Sequence, residues 1–199
     1  MKPIEEVRQL FEENNGILRT KDLYTRKVYY DDLQQYVKDG VIDKVRYGYY
    51  KINNEKTLSE AWVINMLFPD AILNMDTALY YYRYSDRIPN AWHLAVSKDS
   101  GKTRFKIEHP FIRPFYLEPS LLELGLAFAD IDGNKMRIYD KERAICDCLK
   151  YRNKMDREIF TKAIQNYVND PSKNIRRLMQ YAKKMRVTNA VKNIVGVWI

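Results

Sequence analysis

Residues 16–52, which read GILRTKDLYTRKVYYDDLQQYVKDGVIDKVRYGYYKI, decide the fold of the N-terminal part of this chain. Two short stretches carry apolar residues at helical spacing, Gly40 follows them, and an alternating apolar segment then turns at Gly48. Two helices followed by a β-hairpin is the element order of a winged helix-turn-helix. The stretch therefore predicts a DNA-binding domain.

The second predicted helix, over about residues 29–39, has two chemically different sides. On a helical wheel one side carries the apolar and aromatic residues Tyr29, Tyr30, Leu33, Tyr36 and Val37, and the other carries Asp31, Gln34, Gln35 and Lys38. Glutamine can contact adenine with two hydrogen bonds, and lysine can reach guanine or phosphate. The polar side therefore predicts base contacts, although Asp31 opposes phosphate at its own position.

The predicted hairpin places cationic and aromatic residues at its turn, where they could hold the DNA backbone or enter a minor groove. The residues predicted to bind DNA are Lys21, Arg26, Lys27, Tyr30, Gln34, Gln35, Lys38, Lys44, Arg46 and Tyr47. An alternative stays open. A helical subdomain with a hairpin can also pack against the next domain without touching DNA.

Elements on either side complete the predicted domain of residues 1–54. Ile4, Val7, Leu10 and Phe11 recur at helical spacing and predict a first helix. Thr20 is a good N-cap for a short helix that ends near Arg26. A polar break at residues 53–56 predicts a domain boundary, after which Thr57 is expected to cap another helix.

The second predicted domain, residues 55–199, contains a sheet over about 91–140 and helices over about 141–199. Apolar runs between turn residues predict strands at 92–97, 103–109, 111–117, 124–131 and 135–139, the last two joined at Asp132-Gly133. Helices are predicted after the caps Asp140, Asp156, Asp170-Pro171 and Thr188. The fold class is therefore α+β: a winged helix-turn-helix followed by a mixed domain with a mostly antiparallel sheet.

The net charge of +8 predicts an anionic partner, most simply nucleic acid. Residues 1–55 carry 10 Lys+Arg against 10 Asp+Glu, residues 56–134 carry 8 against 10, and residues 135–199 carry 16 against 6. The basic excess thus lies in the C-terminal third. One helix face there, called the basic stripe below, could bind phosphate, meet an acidic partner or simply be solvated: Lys173, Arg176, Arg177, Gln180 and Lys184.

Residues 139–152, YDKERAICDCLKYR, concentrate carboxylates and raise the alternative of a metal-dependent nuclease. Arg143 and Asp147 are expected to pair as i and i+4 neighbours, and Asp140 is needed as a cap. Cys146 and Cys148 point to different helix faces and are predicted as core thiols. We predict no catalytic residue, metal site or cofactor. Without an apolar run of membrane length or a signal core, we expect a cytoplasmic protein.

Five blocks in sequence order resemble the AbiEi-type antitoxins of bacterial abortive-infection toxin–antitoxin systems. They are GILRTKDL, VKDGVIDKVRYGYY, DTALYYYRYSDRIPNAWHLAV, IYDKERAICDCLKYR and LMQYAKKMRV. The resemblance implies a phage-defence protein that is not an enzyme. It implies a transcriptional repressor whose winged domain binds inverted repeats in its own promoter, and a C-terminal domain that counteracts a nucleotidyltransferase-like toxin. A protein-interaction module that neutralises a toxin by direct binding, and a nucleic-acid-processing enzyme, remain alternatives.

Overall fold

The computed structural model describes residues 1–54 and 58–196, and the chain divides into two compact units. The first comprises Met1–Pro69 with Lys102–Pro110, and the second comprises Asp70–Gly101 with Phe111–Ile199. The predicted domain limit after residue 54 stays a prediction, and the first compact unit continues beyond it. The predicted helix cap Thr57 lies outside the described residues.

The first unit is built on a small antiparallel sheet covered by short helices. Its elements are α1 (Ile4–Glu12), β1 (Ile17–Arg19), α2 (Thr20–Thr25), α3 (Tyr30–Lys38), β2 (Ile42–Arg46), β3 (Tyr49–Ile52) and α4 (Glu60–Leu67). The strand order is β1-β3-β2, with the β2–β3 hairpin turning at Tyr47 and Gly48 as predicted. Buried residues from α1, α2, α3 and the sheet share one apolar core.

Three predictions for this unit need correction. Thr20 is the first residue of α2 and Arg19 precedes it as the N-cap, with no side-chain cap bond. Tyr29 and Tyr30 are 57% and 60% exposed, although the wheel placed them with buried Leu33 and Tyr36. Tyr29 precedes α3 in extended backbone, so helical spacing does not apply to it. Tyr30 is the first residue of α3, and its side chain lies outside the core.

The strand predicted over residues 103–109 was also wrong. Lys102–Phe105 forms a 3₁₀ helix, and Phe105 stacks on Phe68 with ring centroids 5.2 Å apart. A segment with alternating apolar residues forms a strand only where a neighbouring strand can pair with it. Here the aromatic contact accounts for the buried side chain instead.

The second unit combines a five-stranded sheet with helices. Its elements are β4 (Ile72–Leu73), α5 (Met75–Tyr81), β5 (Trp92–Ser97), β6 (Ile112–Leu117), α6 (Pro119–Leu122), β7 (Leu126–Ile131), β8 (Asn134–Tyr139), α7 (Lys141–Tyr151), α8 (Arg157–Asn169), α9 (Ile175–Met185) and α10 (Thr188–Ala190). The strand order is β6-β5-β4-β8-β7, and the hairpin at Asp132-Gly133 is confirmed.

The predicted α+β class with C-terminal helices is confirmed. Four of the six strand pairings between described residues are antiparallel, in line with a mostly antiparallel architecture. The sequence did not predict the two parallel pairings, β4 with β8 and β5 with β6. Among the described residues, no helix combines the length and the apolar content needed to cross a membrane.

The helix starts of the second unit are partly as predicted. Asp140 and Asp156 each accept hydrogen bonds from backbone N–H groups in the first turn of α7 and α8. The third prediction was wrong: α9 begins at Ile175 after Asn174, and Asp170 ends α8. The Asp170 carboxylate instead binds Tyr84 and Lys141, both remote in sequence.

Thr188 likewise begins α10 and does not cap it, because the preceding Val187 is the N-cap. The predicted core thiols are confirmed, since Cys146 and Cys148 are both buried and free.

The predicted Arg143–Asp147 pair is confirmed and is fully buried. Arg143 Nε lies 3.2 Å from both carboxylate oxygens, and its Nη1 donates to the carbonyl oxygens of Leu121 and Leu124 at 2.7 Å each. Gly125 packs against this arginine with φ +79°, and a Cβ there would lie 2.5 Å from Arg143 Cβ. Arg143 therefore ties α7 to the end of α6 and to the loop that follows it.

Candidate nucleic-acid interface

The turn between α2 and α3 projects two cations into solvent. Leu23 and Val28 are buried on either side of it, and the Val28 N–H donates to the Leu23 carbonyl at 3.1 Å. Lys27 adopts φ +60°, which reverses the chain between the two helices. With both ends fixed in the core, Arg26 and Lys27 are exposed. Lys21, one turn earlier on α2, is exposed as well.

Helix α3 buries one face and presents the other. Leu33 and Tyr36 have no exposed area, whereas Gln34 and Lys38 are exposed. Gln35 is less free, because its Nε2 donates to Asp39 Oδ1 at 2.8 Å. The outer face thus offers one unengaged amide and one ammonium group for contacts to bases or phosphates.

Exposed tyrosines surround the start of α3. Tyr24 is 40% exposed, and its ring centroid lies 6.0 Å from that of Tyr29. Burial raises the pKa of Tyr50 on β3, and Tyr24 and Tyr30 raise it further, so both phenols lie near this strand. The sequence prediction included only Tyr30. Tyr24 could have been recognised because it directly follows the apolar residue Leu23 and therefore points about 100° away from it around a short helix.

Of the three residues predicted to bind DNA at the hairpin, two are exposed and the third makes a hydrogen bond within the unit. Tyr47 is 90% exposed, and Lys44 Nζ lies 5.8 Å from its ring centroid. Arg46 is held inside the unit: its Nη2 donates to the Leu67 carbonyl at 2.8 Å, and its guanidinium lies 4.1 Å from the ring centroid of Tyr49. The geometry therefore gives Arg46 a structural contact in place of the predicted exposed wing position.

Five of the six predicted cations of this unit are exposed: Lys21, Arg26, Lys27, Lys38 and Lys44. Several carboxylates of the same region are already paired, as in Arg19–Asp22 at 2.9 Å and Lys51–Asp43 at 3.5 Å. Asp31 is exposed at the start of α3. Because each of these pairs takes up one cation as well as one carboxylate, the charge of residues 1–55 stays balanced overall, and the five predicted cations lie outside these two pairs.

Models of known protein families and curated protein sequences give no match to this chain.

The basic stripe of the second unit is partly neutralised. Arg176, Arg177, Gln180 and Lys184 are exposed along α9, while Lys173 precedes that helix. The Arg177 guanidinium lies 3.7 Å from an Asp140 oxygen and 3.9 Å from a Glu142 oxygen. These carboxylates come from the start of α7, so no residue adjacent to Arg177 in the chain indicates that its charge is compensated.

The carboxylates of α7 hold the second unit together. Asp140 caps the helix and also accepts the Tyr181 hydroxyl at 2.9 Å, and Glu142 accepts the Asn174 N–H at 2.8 Å. Burial raises the pKa of Asp147, the partner of Arg143, to about 6. Within residues 1–54 and 58–196, no three His, Cys, Asp or Glu side chains are grouped so as to hold a metal ion.

Proposed function

We propose that this protein is a DNA-binding antitoxin that represses its own operon and counteracts a nucleotidyltransferase-like toxin. Its N-terminal unit would act as a winged helix-turn-helix on inverted repeats of the promoter. The proposal rests on one observation above all: α3 buries Leu33 and Tyr36 and leaves Gln34 and Lys38 exposed, directly after a short helix and a turn. That is the arrangement a recognition helix requires.

In this proposal each part of the surface has a separate task. Gln34 and Lys38 would reach base edges and set sequence choice. Lys21, Arg26 and Lys27 would hold phosphates and set the register. Lys44 and Tyr47 at the hairpin tip would contact the backbone or the minor groove. The exposed tyrosines beside α3 would pack against the sugar-phosphate backbone.

The direct test is protection of the protein's own promoter in a footprint, followed by binding measurements with Gln34→Ala and Lys38→Ala. We expect Gln34→Ala to reduce discrimination between operator and mutated operator by about tenfold, because a bidentate base contact contributes about 1–3 kcal/mol. Lys38→Ala should weaken binding to both. Arg8→Ala on α1, which removes an exposed cation outside the surface, is the matched control.

Unchanged affinity and discrimination in both α3 variants would contradict DNA binding by this helix. The antitoxin role is tested separately, by co-expressing the protein with the product of the adjacent gene and measuring growth. A chain that represses the promoter yet fails to restore growth would be a repressor only.

The basic stripe can be tested without removing helix α9. Leu178, Ala182 and Met185 of α9 are buried, so deletion of the helix would remove part of the core. Substituting Arg176→Gln and Lys184→Gln removes two exposed charges instead. If the stripe contributes phosphate contacts, the double variant binds promoter DNA more weakly and with a shallower salt dependence. Equal binding would assign the stripe to solvent or to a protein partner.

A second candidate function is direct binding of a partner protein by the N-terminal unit. It is favoured by the exposed tyrosines Tyr24, Tyr29 and Tyr30, because tyrosine is enriched at protein interfaces. Pull-down of the adjacent gene product, lost on Tyr29→Ala and accompanied by no promoter binding, would favour this function over DNA recognition.

A further inference from the structure

The second unit contains a cavity of about 770 Å³ that the proposed function does not use. It lies against β5 and β6, with residues from the end of α7 and the start of α8 on other sides. Its volume is within the range of about 300–1,000 Å³ typical of small-molecule sites. Cationic and aromatic side chains share its walls.

A buried histidine lies in this wall, and one of its ring nitrogens is a hydrogen-bond donor without a partner among the described residues. His93 on β5 is 1% exposed, and its Nδ1 accepts the Asp76 N–H at 3.2 Å. The neutral ring therefore carries its proton on Nε2, which has no hydrogen-bond partner among the described residues. Burial lowers the pKa of His93 to about 4, so the ring is a neutral donor at pH 7. Leaving a buried donor unpaired is costly, and an acceptor in the cavity would remove that cost.

Strand pairing sets a cation beside this donor. Strands β5 and β6 run parallel with His93 opposite Arg113, so the two side chains lie on the same face of the sheet. Arg113 and Lys154 both line the cavity and are exposed. A third cation, Arg87, is held by Asp156 at 3.0 Å. An anionic group in the cavity would thus meet two cations and one neutral donor, with the Asp76 carboxylate on the same wall opposing it.

An aromatic wall adjoins the cationic one. Phe115 follows Arg113 by two residues on β6 and therefore faces the same side of the sheet. Its ring centroid is 5.3 Å from that of His93 and 5.5 Å from that of Tyr151, which meets it edge-on at 70°. This wall suits a planar ring. Asp76, whose pKa burial raises, offers an acceptor for a hydroxyl or amino group.

We propose that this cavity binds a nucleoside phosphate. The phosphate interacts with Arg113 and Lys154 and accepts a hydrogen bond from His93 Nε2–H, and the base packs against Phe115 and Tyr151. The charge pattern selects an anion, and the aromatic wall selects an anion that carries a planar ring. The site belongs to the second unit alone and does not depend on DNA binding by the first.

The test is calorimetric titration of the full-length protein with AMP, GMP, adenosine and inorganic phosphate. We expect saturable binding of at least one nucleotide, with adenosine and inorganic phosphate binding about tenfold or more weakly. Arg113→Gln and Lys154→Gln should each weaken nucleotide binding by about tenfold or more, because each removes a charge-assisted contact to phosphate. Arg157→Gln, an exposed charge on α8 outside the cavity, is the matched control and should leave binding unchanged.

His93→Phe separates ligand binding from a packing role. This variant removes the unpaired Nε2 donor and keeps an aromatic ring, but it also removes the Nδ1 acceptor of the Asp76 N–H. We therefore expect weaker nucleotide binding together with a lower unfolding midpoint, and binding is compared at a temperature at which both proteins are folded. The proposal is overturned if neither nucleotide binds saturably, or if inorganic phosphate binds as tightly as the nucleotides. It is also overturned if Arg113→Gln and Lys154→Gln both bind nucleotide as the unaltered protein does.

Discussion

Salt dependence of DNA binding can be calculated from the exposed cations of the N-terminal unit. Five are exposed, namely Lys21, Arg26, Lys27, Lys38 and Lys44. If each neutralises one phosphate, log affinity falls against log salt concentration with a slope of about −4.5, from about −0.9 per contact. Raising salt from about 50 to about 200 mM should then weaken binding by about 500-fold per protomer. Two protomers on an inverted repeat would double the slope.

Two neighbouring substitutions test the assignment of these contacts. Lys44→Gln should make the slope shallower by about 0.9, the contribution of one phosphate. Arg46→Gln should leave the slope unchanged, because the Arg46 guanidinium donates to the Leu67 carbonyl within the unit. It should instead lower the free energy of unfolding by about 1.5–3 kcal/mol, the usual contribution of a hydrogen bond from a charged group.

The assay is fluorescence anisotropy of a labelled promoter duplex, titrated at several salt concentrations, with urea unfolding measured in parallel. A slope near zero for the unaltered protein would refute electrostatic DNA binding by this surface. Equal slope changes in Arg46→Gln and Lys44→Gln would contradict the separate roles assigned to the two residues. Both substitutions remove one positive charge, so a general effect of net charge would change the two slopes alike.

Three further predictions concern stability. Gly125→Ala should lower the free energy of unfolding by about 2–5 kcal/mol, because the added Cβ would clash with Arg143 at a position that already requires positive φ. Gly133→Ala, at φ +74° with open space around it, should lower the free energy of unfolding by only about 1–2 kcal/mol. Urea unfolding midpoints compare the two variants. Relative to His93→Phe, the unaltered protein should lose about 3 kcal/mol of stability as pH drops from about 6.5 through 4, because the folded-state pKa of His93 lies below its unfolded value. The raised pKa of Asp147 acts in the opposite direction in both proteins and cancels in this comparison. Tyr36→Phe should cost about 1 kcal/mol in urea unfolding, since its hydroxyl donates to the Lys2 carbonyl at 2.6 Å.

Features that depend on a few consecutive residues were predictable. Gly48 and Asp132-Gly133 turn their hairpins, Asp140 caps α7, and Arg143 pairs with Asp147 one turn later. Each involves backbone or side-chain contacts within about four residues, where helix and turn geometry bring the groups together whatever the rest of the chain does. The sequence by itself therefore determined most helices and strands, the α+β class and the composition of the α3 surface.

Contacts between distant residues were decided only by the tertiary structure. Arg46 reaches the Leu67 carbonyl, which removes it from the exposed cations, and Asp170 binds Lys141 in place of capping α9. His93 stands opposite Arg113 only because β5 and β6 pair in parallel, a register that neither strand encodes alone. A long side chain can extend into solvent or reach any of several partners. The packing of elements far apart in the chain determines which of these contacts it makes.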